Sequence, residues 1–420
     1  MKLLTHLDFD LVAVESDDTV SLLLELRAPA IALDKPRAPA AVQIVLDRSG
    51  SMDGAPLYAA QGALDRLITR LDPSDSFGLV AFDHETSVVV PAAPLTDKDA
   101  VRDAVWSLHA RGTTNLSSGY LRGLQEARRA VGARGATLLL LSDWHANEGI
   151  AEPEPLAGIA ASAHANGVTT STLGVGLGYD ESLMAAVARG GSGNALFAQD
   201  PDAAAASIAG EVEGLLEQTV QAATLTVRPM GGVDGISLLN DLPAQPVGDA
   251  LVIELGDLYS EEERKLVLRL DVPAMPTLGL AQIAELELAY VAPPELVTET
   301  VTLPVHVNVV PGDAAAGRVA NPTVRTELAF QEAQHAKRAA ADALRRGDCS
   351  AALRLYDAAA DGVAGAAARA PVDAQPELRQ ELEMLARLSR DVGVGETSSA
   401  AKLSQADAHR KNRKRGRGPR

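Results

Sequence analysis

The run of residues 41–52, AVQIVLDRSGSM, constrains the fold of this chain more than any other stretch. Its first half is largely apolar and long enough for one buried strand. The pattern then changes, because Asp47, Ser49 and Ser51 place a carboxylate and two hydroxyls at every second residue around a glycine. A helical pattern begins near Pro56. This order places three oxygen ligands at the carboxyl end of a strand, where open α/β sheets carry their binding sites.

The residue types of this turn limit the ligand it can hold. Oxygen ligands without Cys or His favour Mg²⁺, Ca²⁺ or Mn²⁺ over zinc or copper. Taken alone, the same five residues also fit a Ser/Gly loop in which Asp47 caps the following helix. The rest of the chain is needed to decide between a metal site and a simple cap.

Residues 41–218 alternate predicted strands and helices, which is the pattern of a mostly parallel sheet with helices on both faces. The predicted strands are 41–46, 76–82, 87–90, 136–141, 168–176 and 195–198. The predicted helices are 56–71, 98–108, 116–131, 155–166, 180–188 and 203–220. We therefore predict an α/β fold with a doubly wound, Rossmann-like sheet.

Two loops of this segment resemble, in order, those of a known family. The Asp47-x-Ser49-x-Ser51 motif resembles the opening motif of the metal-ion-dependent adhesion site (MIDAS) of von Willebrand factor type A (VWA) domains. Further on, the sequence GTTNL precedes a predicted helix and resembles the family's Gly-x-Thr-Asn loop. This resemblance assigns Thr114 as a metal ligand, with the neighbouring Thr113 as the alternative.

A third loop also resembles the family. Residues 138–143 are similar to its apolar strand ending in an aspartate, which assigns Asp143 as a direct or water-mediated ligand. The family usually places glycine after this aspartate, whereas this chain has Trp144. A glycine permits backbone conformations that other residues avoid, so an indole here can crowd the cation or offer a contact surface.

The resemblance implies a bacterial, intracellular type of VWA protein that binds partners rather than turning over a substrate. Mg²⁺ is the expected cofactor, with Mn²⁺ or Ca²⁺ as alternatives, and a partner protein's acidic residue would complete its ligand shell. We expect a metal-dependent scaffold or regulatory subunit. Three alternatives stay open: an accessory subunit of an ATPase or chelatase-like complex, a metal-dependent hydrolase, and a structural protein with a degenerate site.

The segments on either side of the α/β domain have different patterns. Residues 1–40 and 219–312 contain short strands separated by Gly and Pro turns, which predict a β-sandwich that either flanks the α/β domain or has this domain inserted in it. Residues 318–392 are Ala-rich and predicted to be helical. Residues 393–420 end in a run of Lys and Arg and are predicted to form a disordered basic tail.

Composition excludes several functional classes. The net charge of −18 disfavours nucleic-acid binding except through the basic tail. A single cysteine, Cys349, excludes an internal disulfide framework. Neither a signal peptide nor an apolar stretch of transmembrane length is evident, so we expect a cytoplasmic protein without membrane contact.

No Walker P-loop or G-x-S-x-G nucleophile motif is present, so we expect no enzyme of these classes.

Overall fold

The computed structural model of the chain describes residues 1–30, 39–132, 135–143, 148–175, 181–198, 207–208, 217–293, 297–412 and 415–417. The strands are β1 Lys2–Leu7, β2 Leu11–Ala13, β3 Asp18–Arg27, β4 Ala41–Asp47, β5 Ser76–Phe82, β6 Thr86–Pro94, β7 Ala136–Ser142, β8 Val168–Val175, β9 Ser192–Ala198, β10 Gln218–Pro229, β11 Gly235–Leu238, β12 Ala244–Val247, β13 Ala250–Tyr259, β14 Glu262–Val272, β15 Gly279–Ala292, β16 Val297–Val310 and β17 Arg415–Arg417. The helices are α1 Ala55–Arg70, α2 Lys98–Trp106, α3 Leu116–Ala130, α4 Pro153–Ala165, α5 Glu181–Gly190, α6 Gly312–Ala316, α7 Pro322–Arg345, α8 Cys349–Ala367, α9 Gln375–Gly393 and α10 Thr397–Asn412.

The predicted α/β sheet is confirmed. Its strand order is β6-β5-β4-β7-β8-β9, and among the described residues every pair is parallel except the edge pair β5–β6. The chain passes from β4 to β5 on one side and later places β7 on the other side of β4. The strand order therefore reverses at β4, and this switch point is where sheets of this class form binding crevices.

Alternating side chains of the central strands supply a core on each face of this sheet. On one face, Ile44 and Leu46 pack with Leu64 and Ile68 of α1. On the other face, Val45 belongs to a core that includes residues from α3, α4 and α5. Because both faces are covered, the central strands are almost continuously apolar, and this is why sequence alone predicted them.

Two sheets form the predicted sandwich, and their described strand pairs are antiparallel except for the parallel pair β2–β16. One sheet has the order β1-β3-β14-β11, with β17 also paired to β14, and the other has the order β12-β13-β10-β15-β16-β2. They share one core in which residues such as Leu22, Leu24 and Leu268 face Leu225 and Leu286. The strands before and after the α/β domain therefore build one sandwich, and the α/β domain is an insertion in it.

The Ala-rich region forms a helical domain from α7, α8, α9 and α10. Its core includes Phe330, Tyr356, Leu385 and Leu388. No helix in the described part of the chain is long and apolar enough to cross a membrane.

Two predictions about element boundaries were wrong. The predicted disordered tail at 393–420 contains the ordered helix α10, because Ala400 and Leu403 belong to the core of the helical region and Lys411 pairs with the buried Glu381 and Asp407. The predicted helix at 203–220 lies mostly outside the described residues. Its last three residues belong instead to strand β10, which pairs with β13 from Gln218 onward.

Candidate metal site

The first loop of the candidate site begins where β4 ends. Asp47 is the last residue of that strand, and its carboxylate is fully buried. One carboxylate oxygen accepts the backbone N–H of Ser49 at 2.8 Å, and the other accepts the hydroxyl of Ser142 at 2.5 Å. These two bonds hold the Asp47 side chain, one from its own loop and one from the end of β7.

Four of the five predicted ligands form one chain of hydrogen bonds. The Ser49 and Ser51 hydroxyl oxygens lie 3.1 Å apart, and Ser51 Oγ donates to Asp143 Oδ1 at 2.8 Å. Asp47 joins this chain through the backbone of Ser49. The first and third predicted loops therefore meet at the carboxyl edge of the sheet, although 92 residues separate Ser51 from Asp143.

Backbone contacts hold the second loop against the first. Arg111 N–H donates to the carbonyl of Arg48 at 2.7 Å, and Gly50 N–H donates to the carbonyl of Gly112 at 3.1 Å. Gly112 has a φ of +71°, and a Cβ atom there would lie 2.2 Å from His84 Nδ1. A side chain at position 112 would therefore be strained by the positive φ and would have to displace the His84 ring.

The two threonines of the second loop have different surroundings. Thr113 is exposed, and its hydroxyl donates to Glu148 at 2.8 Å. Thr114 is buried, with a relative exposure of 1%. Thr113 is thus already engaged outside the Ser49–Ser51–Asp143 chain. This difference favours Thr114 as the ligand, as the family resemblance implies.

Burial raises the pKa values of both carboxyl groups of the candidate site. Burial, opposed in part by the hydrogen bonds from Ser142 and Ser49, raises the pKa of Asp47 from 3.8 to about 6. Burial also raises the pKa of Asp143, which is half-buried. A raised pKa means that the negative charge of a buried carboxylate is poorly compensated by its surroundings in the protein without metal. A bound cation would supply the missing positive charge.

The spacing of the oxygens fits a small divalent cation. Adjacent ligands of an octahedral Mg²⁺, each about 2.1 Å from the ion, lie about 3.0 Å apart. The Ser49–Ser51 and Ser51–Asp143 oxygen distances of 3.1 and 2.8 Å have this spacing. These hydrogen-bond distances are thus compatible with an ion that the five predicted ligands would hold with oxygen atoms only, namely Asp47, Ser49, Ser51, Thr114 and Asp143.

A second group of possible ligands, Asp83, His84 and Glu85, lies beside this site, with its side chains within reach of one another. The Asp83 carboxylate is fully buried and already accepts Arg48 Nε at 2.8 Å and Arg111 Nε at 2.9 Å. Two guanidinium groups at this distance neutralise the carboxylate and repel a cation. This group is therefore a poorer cation site than the predicted one, and its sequence signal was the position of Asp83 directly after a predicted strand.

Trp144 lies outside the described residues, so its predicted crowding or contact role stays a prediction. Ser142 was not predicted from the sequence either, but the structure gives it a direct bond to Asp47. Its position at the end of a strand next to β4 was the available signal.

Comparisons with known proteins agree with this geometry. Residues 42–210 match the family model of the von Willebrand factor type A domain. The chain is 30% identical over 262 residues to sll0103, an uncharacterised protein of Synechocystis sp., covering 59% of this chain and 61% of that protein. It is 31% identical over 153 residues to the uncharacterised protein YfbK of Escherichia coli, covering 36% of this chain and 27% of that protein. This chain therefore spans less than two thirds of the length of either relative.

A solved structure extends the similarity beyond the α/β domain. The von Willebrand factor type A structure from Catenulispora acidiphila superposes with a TM-score of 0.74 at 17% identity, covering 99% of this chain and 97% of that one. At this identity the likeness is one of fold, and it includes the sandwich and the helical region. Together with the family match, it shows that residues 42–210 of this chain are a von Willebrand factor type A domain.

Proposed function

We propose that this protein is a divalent-metal-dependent protein–protein interaction module that acts as a scaffold or regulatory subunit. The observation that carries the proposal is the chain of oxygens from Ser49 through Ser51 to Asp143 at the carboxyl edge of the sheet. Asp47, Ser49 and Thr114 are buried, whereas Ser51 is exposed and Asp143 is half-buried. The site is therefore anchored on one side and open to a partner on the other.

The ligand chemistry supports binding of an acidic group. Three of the five predicted ligands are neutral hydroxyls, and the two carboxylates only balance the charge of a divalent ion. Such an ion, most suitably Mg²⁺, keeps positions for water or for an incoming carboxylate. Ser51 and Asp143 would border this position, so a partner's Asp or Glu side chain fits it best.

The same features favour binding over turnover. The hydroxyls of Ser49 and Ser51 and the carboxylate of Asp143 are bonded to one another, and His84 pairs with Asp83 at 3.0 Å. We further propose a cytoplasmic location, because Cys349 is a free thiol and reducing compartments preserve free thiols.

Binding to short acidic peptides tests this function. The full chain would be applied to an array of peptides that each contain one Asp or Glu, in Mg²⁺ and then in EDTA. We expect some peptides to bind only in Mg²⁺ and to lose binding when the acid is replaced by its amide. Binding that persists in EDTA, or that ignores the amide replacement, would contradict the proposal.

A further inference from the structure

A fully buried carboxylate outside the predicted ligand set links the two loops that carry most of the ligands. Asp83 follows β5 directly, and its side chain has no exposed surface. Its Oδ2 atom accepts Arg48 Nε at 2.8 Å and Arg111 Nε at 2.9 Å. Arg48 belongs to the first loop and Arg111 to the second, so a single oxygen bridges both.

The backbone around Asp83 reinforces this bridge. Its carbonyl accepts the N–H of Asn115 at 2.9 Å, and its Oδ1 atom accepts the N–H of Glu85 at 2.8 Å. The N–H of Arg48 donates to the carbonyl of Phe82 at 2.8 Å. Asp83 is therefore held at the end of β5 while it bonds to both loops.

The bonded residues stand next to predicted ligands in the sequence. Arg48 lies between Asp47 and Ser49, and Asn115 directly follows Thr114. Movement of Arg48 or Asn115 would therefore move the ligand oxygens of the same loops. Because the cation needs all of these oxygens at one point, small shifts of either loop would weaken its binding.

We propose that Asp83 is a positioning residue that sets the distance between the first and second metal-binding loops through Arg48 and Arg111. The proposal rests on the proposed metal site, and it assigns Asp83 no direct contact with the cation. The two guanidinium groups occupy the Oδ2 atom and carry positive charge, so this carboxylate acts on the site only through its neighbours.

The experiment compares Asp83→Asn with Glu85→Gln in the full chain. Both variants remove one negative charge from the same segment. The Glu85 side chain is exposed, and among the described residues its ion pair is with the exposed Arg111, at 3.2 Å. Mn²⁺ affinity would be measured by calorimetry, and amide hydrogen exchange would be followed in loops 48–51 and 111–115 without metal. The wild-type chain provides the reference for both measurements.

We expect Asp83→Asn to weaken Mn²⁺ binding by about 10-fold or more, the range found for residues that orient metal ligands. It should also speed exchange in both loops, whereas Glu85→Gln should change neither quantity substantially. Unchanged affinity in Asp83→Asn, with wild-type binding intact, would overturn this inference alone. An equal loss in Glu85→Gln would instead indicate that the Asp83–His84–Glu85 group binds the ion. Absence of Mn²⁺ binding in the wild type would refute the proposed function itself.

Discussion

Asp47, the first proposed metal ligand, should lower the stability of the fold when no cation is bound. Its carboxylate is fully buried, and burial raises its pKa to about 6. The native state therefore holds a proton between about pH 4 and 6 that the unfolded chain releases, so stability falls as pH rises through this window. Above pH 6, the charged carboxylate destabilises the metal-free fold by up to about 3 kcal/mol.

Replacing Asp47 with Asn should therefore raise the stability of the metal-free protein. Thermal unfolding in EDTA at pH 7.5 should show a midpoint several degrees higher in Asp47→Asn than in the wild type. The difference should shrink at pH 5, because the wild-type carboxyl is then mostly protonated. Saturating Mg²⁺ should stabilise only the wild type. A lower midpoint in the variant at pH 7.5 would show that the buried charge is well compensated without metal.

Single residues also show what the sequence can and cannot predict. The pattern of Asp47, Ser49 and Ser51 is local, so spacing alone placed these oxygens on one turn. Asp83 and Ser142 act through contacts made across the sheet, and no local spacing indicates such partners. Their only sequence signal was a polar residue at the carboxyl end of a predicted strand.

Among the elements, apolar strands were easier to predict than the last helix. The strands of the α/β sheet are buried on both faces and read as continuous apolar runs. Helix α10 has a polar sequence that resembles a solvated tail, and its stability comes from partners far away in the chain. Lys337 of α7 pairs with Glu381 of α9 and with Asp407 of α10, each at 2.6 Å.

This buried ion-pair cluster has a defined pH range. Burial raises the pKa of Asp407, but the charges of Lys337 and Lys411 outweigh this effect and lower it to about 2. A carboxyl with a depressed pKa stabilises the fold above about pH 4, and this contribution is lost as pH falls toward 2. The cluster is therefore fully formed at neutral pH.

Replacing Lys337 with Met should release helix α10. Glu381 and Asp407 would then lose a buried cationic partner, which typically costs about 3–5 kcal/mol. Limited proteolysis should cut within residues 397–412 much faster than in the wild type. Arg345→Ala provides the control on the same helix, because its pair with Asp342 is exposed and worth little. Equal protection of α10 in Lys337→Met and the wild type would show that the cluster does not anchor it.

At the scale of the whole molecule, the α/β domain, the sandwich and the helical region contact one another. Strand β3 pairs with β14 over ten residues, although the α/β domain lies between them in the sequence. Helix α10 contacts α5 and β9 of the VWA domain, and Asn412 at its end bonds to Leu239 and Asn240 of the sandwich. The sequence predicted the sandwich and its insertion, but pairing between such distant strands leaves no local signal for the register.

These contacts determine how the central claim is tested. Because the VWA domain, sandwich and helices share contacts, metal binding is best measured on the full chain. Mn²⁺ would be titrated by calorimetry into the wild type, Asp47→Ala, Thr114→Val and Thr113→Val. Thr113→Val is the matched control, since its hydroxyl bonds to Glu148 rather than to the predicted ligands.

We expect one saturable Mn²⁺ site in the wild type and in Thr113→Val, and its loss in Asp47→Ala and Thr114→Val. Loss of Mn²⁺ binding in Thr113→Val, with binding retained in Thr114→Val, would show that Thr113 rather than Thr114 is the ligand. Equal binding in the wild type and Asp47→Ala, or no binding in any of them, would contradict the claim that this edge of the sheet is a metal site.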